Sequence, residues 1–121
     1  MDREFVIHEH KRKKSNSTHW DFRLLNPSKT FVWSFAIPKQ KFPASGERVL
    51  AIKTQRHSIE SLNLKGKLKN GDFITVIDKG MCKIIKAKKA KILDIQLNGK
   101  RVKGHFIFIY LEKDKWLLIG K

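Results

Sequence analysis

Apolar and polar positions alternate along much of the chain. In "STHWDFRL", residues 17–24, Trp20, Phe22 and Leu24 share one parity, while His19, Asp21 and Arg23 share the other. Neighbouring side chains on a strand point to opposite faces. The stretch therefore predicts a strand with one apolar face and one face carrying an imidazole, a carboxylate and a guanidinium. "EFVIHEH" reads as a strand before it. "TFVWSFAIP" reads as one after it, joined by the "NPSK" turn and closed by Pro38. "RVLAIKTQ" is a fourth strand, followed by an irregular stretch, "RHSIESLNLKGKLKNG", with room for one short helical turn. "DFITVID" is a fifth strand, stopped by "KG". "MCKIIKAK" and "AKILDIQLNG" are two more, and "GHFIFIYLEKDKWLLIGK" forms a last hairpin turning at "EKDK". The Ala- and Lys-rich "CKIIKAKKAKIL" has helix-forming residues but no stripe of period 3.6, so strand is preferred. Many short strands at regular spacing predict an all-β domain, a small barrel or sandwich.

Length narrows this to a single domain spanning residues 1–121, large enough for one real core. No apolar run approaches the roughly 18 residues of a membrane span, and no membrane association is expected. "MDREFVIHEH" carries acids at once and lacks the apolar stretch of a signal peptide. Cys82 is the single cysteine. It excludes an internal disulfide and a multi-cysteine zinc site, and reads as an inert packed thiol in a reducing, cytoplasmic setting. The formal net charge of +16, from 27 Lys+Arg and 11 Asp+Glu, implies an anionic partner, of which nucleic acid is the commonest. The lysines are scattered, which suits contact with phosphates without base reading.

The polar face of the second strand is the candidate for chemistry. Residues two apart on a strand lie about 6.7 Å apart and can converge on one ion. His10 ends the preceding strand. His10, His19 and Asp21 thus make a two-imidazole, one-carboxylate set suited to Mn²⁺, Fe²⁺ or Zn²⁺. Arg23 is next on that face and forks onto phosphate oxygens. His57, after the fourth strand, is a candidate phosphate ligand or general acid. A solvated strand face with ordinary ion pairs has the same local pattern. His8 reads as an exposed neighbour of His10, and His105 as a packed or edge histidine.

The wording "FVIHEH…HWDFRL…WSFAIPK…RVLAIKTQRH…GKRVKGHFIFI…KWLLIGK" resembles the 3′-phosphoesterase domain of bacterial ATP-dependent DNA ligase D and its stand-alone archaeal relatives, in order and over nearly the whole chain. The resemblance implies a compact, closed or partly open β-barrel of about eight strands with a polar active-site groove. It implies a manganese-dependent enzyme that heals DNA 3′ ends during break repair by removing a terminal ribonucleotide and then the 3′-phosphate. A separate DNA ligase and polymerase would be partners. Carried over, the metal ligands fall on His10, His19 and Asp21, the phosphate-binding arginine on Arg23 and a further active-site histidine on His57. Gln55 stands where the family has an acid, and Ser61 where it has a tyrosine. Val49 stands at a substrate-contacting arginine, for which Arg48 substitutes if the strand bulges. Three extra residues separate His10 from His19, which a longer hairpin can absorb. The family's acidic contributions upstream of the first strand are expected to be missing. These departures bear on ribonucleotide removal more than on phosphate removal. The alternatives are a non-catalytic or degenerate nucleic-acid-binding barrel, and a phosphoesterase acting on RNA ends.

Overall fold

The computed structural model describes residues 2–89 and 91–121. Nine strands run in chain order among the described residues: β1 (Asp2–Lys11), β2 (Thr18–Leu25), β3 (Val32–Ile37), β4 (Arg48–His57), β5 (Gly66–Lys67), β6 (Phe73–Lys88), β7 (Ile92–Gly99), β8 (Lys103–Glu112) and β9 (Lys115–Gly120). A 3-10 helix, Ile59–Asn63, sits between β4 and β5. The strands pair in the order β1-β2-β3-β4-β9-β8-β7-β6, and β6 pairs back onto β1, so eight antiparallel strands close a barrel; β5 is an extra strand on the start of β6. No described helix is long and apolar enough to cross a membrane.

The alternating parity explains the core. Phe5 and Ile7 of β1, Phe22 and Leu24 of β2, and Phe35 and Ile37 of β3 fill the interior with Phe108, Trp116 and Leu118 from the last hairpin. An eight-stranded barrel is just wide enough for side chains to fill it. Phe35 stacks on Phe108 at 4.4 Å between centroids, and Phe22 also stacks on Phe108, at 5.5 Å. Cys82 is fully buried among these residues, and burial pushes its thiol up to about 12, consistent with the inert thiol expected.

Three expectations need correction. The dipeptide "KG" does not stop the fifth strand: Lys79 and Gly80 lie inside the 16-residue β6, which merges "DFITVID" with "MCKIIKAK". Gly80 is required there because β7 approaches closely; a Cβ on it would collide with the Asn98 carbonyl oxygen. The fourth strand extends past Gln55 to His57. The irregular stretch includes, besides the helical turn, the short strand β5. The segment "CKIIKAK" is strand, as preferred over helix, and the expected start of the seventh strand at Ala90 lies outside the described residues.

The middle of the outer surface of β1–β3 is covered. Leu62 of the 3-10 helix packs on Val6 and Val32, which point away from the core, with Leu25 against them. The connection between β4 and β6 thus makes a partial roof over the outer face, and the polar residues of that face lie beneath and beside it.

Candidate active site

Strand pairing brings the polar parity of four strands together on this outer face. On β1 and β2, His10 lies opposite His19, His8 opposite Asp21 and Val6 opposite Arg23. On β2 and β3, Arg23 lies opposite Ser34, and Ser34 in turn faces Thr54 on β4. The long β1–β2 hairpin leaves the two histidines opposed, so its additional residues are absorbed in the loop 12–17.

His57 reaches the same face through a β-bulge. Ser34 pairs with Thr54 but Val32 pairs with His57, so Gln55 and Arg56 together oppose Trp33. By simple alternation His57 has the parity of the core residues Val49 and Ala51; the extra residue reverses it. Bulges commonly re-aim a side chain in this way. His57 is half-buried. Burial lowers its pKa below the ordinary histidine value, and the nearby Arg23 guanidinium lowers it further, with Asp21 acting in the opposite sense.

The donor atoms of His10, His19 and Asp21 all lie within 4.8 Å of one another. Asp21 faces His10 Nδ1 at 3.1 Å through one oxygen and His19 Nε2 at 3.0 Å through the other. His10 Nε2 lies 2.8 Å from the Asp72 carboxylate. Both ring nitrogens of His10 therefore face carboxylate oxygens, although a neutral imidazole has only one N–H. The arrangement calls for a positive charge on the Asp21 side of His10, either a proton or a metal ion. With a metal on Nδ1, the Nε2–H would donate to Asp72, the usual carboxylate–histidine–metal relay. Two nitrogens and one carboxylate at this separation fit a divalent cation with open positions. Burial opposes the charge of Asp21, but the two histidines and Arg23 outweigh it and hold the carboxyl below its ordinary range.

Arg23 is only 5% exposed. Its Nε donates to His8 Nδ1 at 3.2 Å, its Nη1 to Ser34 Oγ at 3.3 Å, and its Nη2 to Asp21 at 3.4 Å. A guanidinium has five N–H groups, so two remain for a ligand. Burial lowers the pKa of Arg23 and Asp21 opposes that effect; an arginine stays cationic under such conditions.

The sequence-predicted residues are thus divided. His10, His19, Asp21, Arg23 and His57 come together. Gln55 is exposed in the bulge beside Arg56. Arg48 stands exposed at the opposite end of β4, paired with Ile119 and remote from the cluster; no bulge brings it in. His8 is not exposed but fully buried, under the roof and against Arg23, with its Nε2 lacking a hydrogen-bond partner among the described residues. Burial first, then the Arg23 charge, lower its pKa to about 4, so it is neutral and able to accept from Arg23. Ser61 is buried in the 3-10 turn, where its Oγ donates to the Ser58 carbonyl. His105 pairs with Asp94 on the far side of the barrel. His8 was expected near His10 but exposed, and two contributors, Ser34 and Asp72, escaped the sequence reading. The parity of Phe35 and Ile37 was enough to place Ser34 on the polar face, whereas Asp72 reaches His10 across 62 residues of chain and has no local signal.

Residues 8–110 match the DNA ligase D 3′-phosphoesterase domain family. The multifunctional non-homologous end joining protein LigD of Mycolicibacterium smegmatis is 28% identical over 128 residues, covering 94% of this chain and 16% of that protein. Its Mycobacterium bovis counterpart is 27% identical over 121 residues, covering 93% of this chain and 15% of the relative. The DNA repair protein LigD of Mycobacterium tuberculosis gives the same figures of 27%, 93% and 15%. The chain therefore spans about a sixth of the length of these relatives.

Proposed function

The chain belongs to the DNA ligase D 3′-phosphoesterase domain family, and from that premise we propose that it is a metal-dependent phosphoesterase that removes 3′-phosphates from DNA ends in break repair. The observation that carries this reading is the convergence of His10, His19 and Asp21, with donor atoms within 4.8 Å, beside Arg23 and His57. In charge, Asp21 and Arg23 cancel and Asp72 adds one negative. A divalent cation would leave the cluster net positive, as a phosphate monoester requires.

The cation, Mn²⁺ by family resemblance, would be held by His10, His19 and Asp21 and would supply charge neutralisation and a more acidic water. The remaining steps belong to the chain. The two free N–H groups of Arg23 take phosphate oxygens, while His8, Ser34 and Asp21 hold its plane still. His57, neutral at neutral pH in the free protein, donates an N–H to the same phosphate. The bound anion offsets the Arg23 charge and raises the proton affinity of His57. Water oxygen bonds to phosphorus, the bond from phosphorus to the 3′ oxygen breaks, His57 delivers the proton that the 3′ oxygen needs, and the proton shed by the water restores His57. The products are a 3′-hydroxyl and inorganic phosphate. Removal of a terminal ribonucleotide is a second activity of the same site, with Gln55 as a further substrate contact. Arg48, at the far end of β4, would touch the substrate strand only away from the reacting end. A ligase and a polymerase would act on the healed end.

The test is a 5′-labelled primer–template ending in a 3′-phosphate or in one ribonucleotide, incubated with Mn²⁺ or with a chelator. Metal-dependent loss of the 3′-phosphate is expected, abolished by His19→Ala. Firm DNA binding without product on either substrate would point instead to a degenerate barrel.

A further inference from the structure

We propose that the open end of the barrel beside the site holds a nucleobase pocket that takes one unpaired base of the substrate strand, a few nucleotides from the reacting 3′ end. This rests on the DNA-end reading above. The cavity lies between β3, β4, β9 and the β6–β7 hairpin. Trp33, Phe35, Leu93 and Trp116 line it, with Lys53 and Lys88 at its edge. Its volume is about 170 Å³; a cavity of about 150 Å³ is enough to admit a benzene ring. One six-membered heterocycle therefore fits.

Three observations favour a base over an aliphatic ligand. Three of the lining side chains, Trp33, Phe35 and Trp116, are aromatic, and aromatic rings are the usual partners of an unpaired base. Trp116 is only 3% exposed, yet its Nε1 has no hydrogen-bond partner among the described residues. A buried N–H without an acceptor is rare and costly, and a base supplies carbonyl oxygens and ring nitrogens as acceptors. The edge is cationic: the Lys53 ammonium lies 5.7 Å from the Trp116 ring centroid, in place for the phosphate of a base stacked inside.

The pocket is also connected to the site. A second depression, lined by Phe31, Trp33, Lys53 and Arg56, adjoins it, and a third joins Phe31 and Arg56 to His57. Arg56 stacks 4.6 Å from the Phe31 ring centroid. Cations and aromatic faces thus alternate from His57 to Trp116, the arrangement of a single-strand track. Along β4, Lys53 and His57 are four residues apart, about 13 Å at strand spacing. DNA rises about 3.4 Å per stacked nucleotide, so the pocket is within reach of a base near the end.

The experiment is fluorescence anisotropy of the full chain with 5′-labelled single-stranded oligonucleotides ending in a 3′-phosphate, with a chelator present so that turnover plays no part. One abasic site is moved through the last six positions. One or two of these positions should lose roughly tenfold in affinity, the others little. Trp33→Ala should lose the same factor on the intact oligonucleotide, and the abasic site should then cost nothing further. Trp33→Phe should retain the dependence, and a melting curve on each variant separates this from loss of fold. A uniform response to the abasic site at all positions, or full positional dependence in Trp33→Ala, would overturn the pocket. Because no hydrolysis is read, positional dependence without phosphatase activity would support the pocket while removing the enzyme reading.

Discussion

Asp72 is the residue whose role can be isolated most cleanly. It does not face Asp21 directly, but its carboxylate takes His10 Nε2 at 2.8 Å and the Lys13 amide at 3.1 Å. It therefore ties the tip of the β1–β2 hairpin to the first candidate metal ligand. Outer carboxylates of this kind fix the ring and raise ligand basicity, and their loss typically costs about 10–100-fold in metal affinity. Asp72→Ala is expected to weaken Mn²⁺ binding by about that factor, read by direct titration of the metal, with the melting temperature little changed. An unchanged Kd would make the contact a consequence of loop packing only. The same residue shows why part of the site could not be read in advance. His10, His19, Asp21 and Arg23 were legible because one strand pair and its alternation bring them together. Asp72 depends on how a distant loop returns, and the burial of His8 depends on Leu62 of the 3-10 turn covering its strand. A histidine in "FVIHEH" carries no mark of either event.

At the scale of elements, two irregularities decide how alternation becomes a site and a closed barrel. The bulge at Gln55–Arg56 delivers His57 to the outer face, against the parity read from Val49 and Ala51. If His57 is the proton donor, His57→Ala should lower the phosphatase rate by about 10²–10⁴-fold while leaving metal binding intact. The second irregularity lies in β6, where Ile77 has no partner on β1 and Asp78 turns to the β7–β8 loop. Asp78 accepts the amides of Lys79, Lys100, Arg101 and Val102 at 2.7–3.0 Å. Burial raises its pKa, but these amides outweigh it and the net shift is downward. A carboxyl with a folded pKa below its unfolded value stabilises the fold above about pH 4, and that contribution is lost as pH falls through the folded pKa. Asp78→Asn should therefore destabilise at neutral pH, by about 2 kcal/mol. The gap from the parent should shrink towards pH 2 in acid-melting curves. A constant gap across that range would contradict the carboxylate's role. Gly80, read as a stop, belongs to the same region: glycine can mark a turn or the close passage of another strand, and sequence alone does not separate them.

For the whole molecule, the charge of +16 was visible from composition, but its distribution needed the fold. The candidate site is nearly neutral as a whole, with Asp21 and Asp72 set against Arg23. The positive charge is carried around them. Immediately beyond His10 and His19, the exposed hairpin tip presents Arg12, Lys13 and Lys14, held in place through the Lys13 backbone and not its side chain. The Lys13 stem also packs over Gly71, but its ammonium and the exposed Arg12 and Lys14 side chains remain at the surface to contact phosphates. Each duplex phosphate neutralised adds about 0.9 to the slope of log affinity against log salt. Replacing all three by glutamine should reduce that slope by up to about 2.7 and weaken binding most at low salt, where screening is least. The Asp72 bond to the Lys13 amide survives these substitutions, so hydrolysis at saturating DNA should persist. Salt-series binding isotherms on the parent and the triple variant measure this directly. An equal slope for both would mean that the DNA approaches from another side, and that the tip's charge serves only as solvated surface. A reduced slope together with lost hydrolysis would mean that the tip does more than attract phosphate, and that its side chains shape the metal set itself.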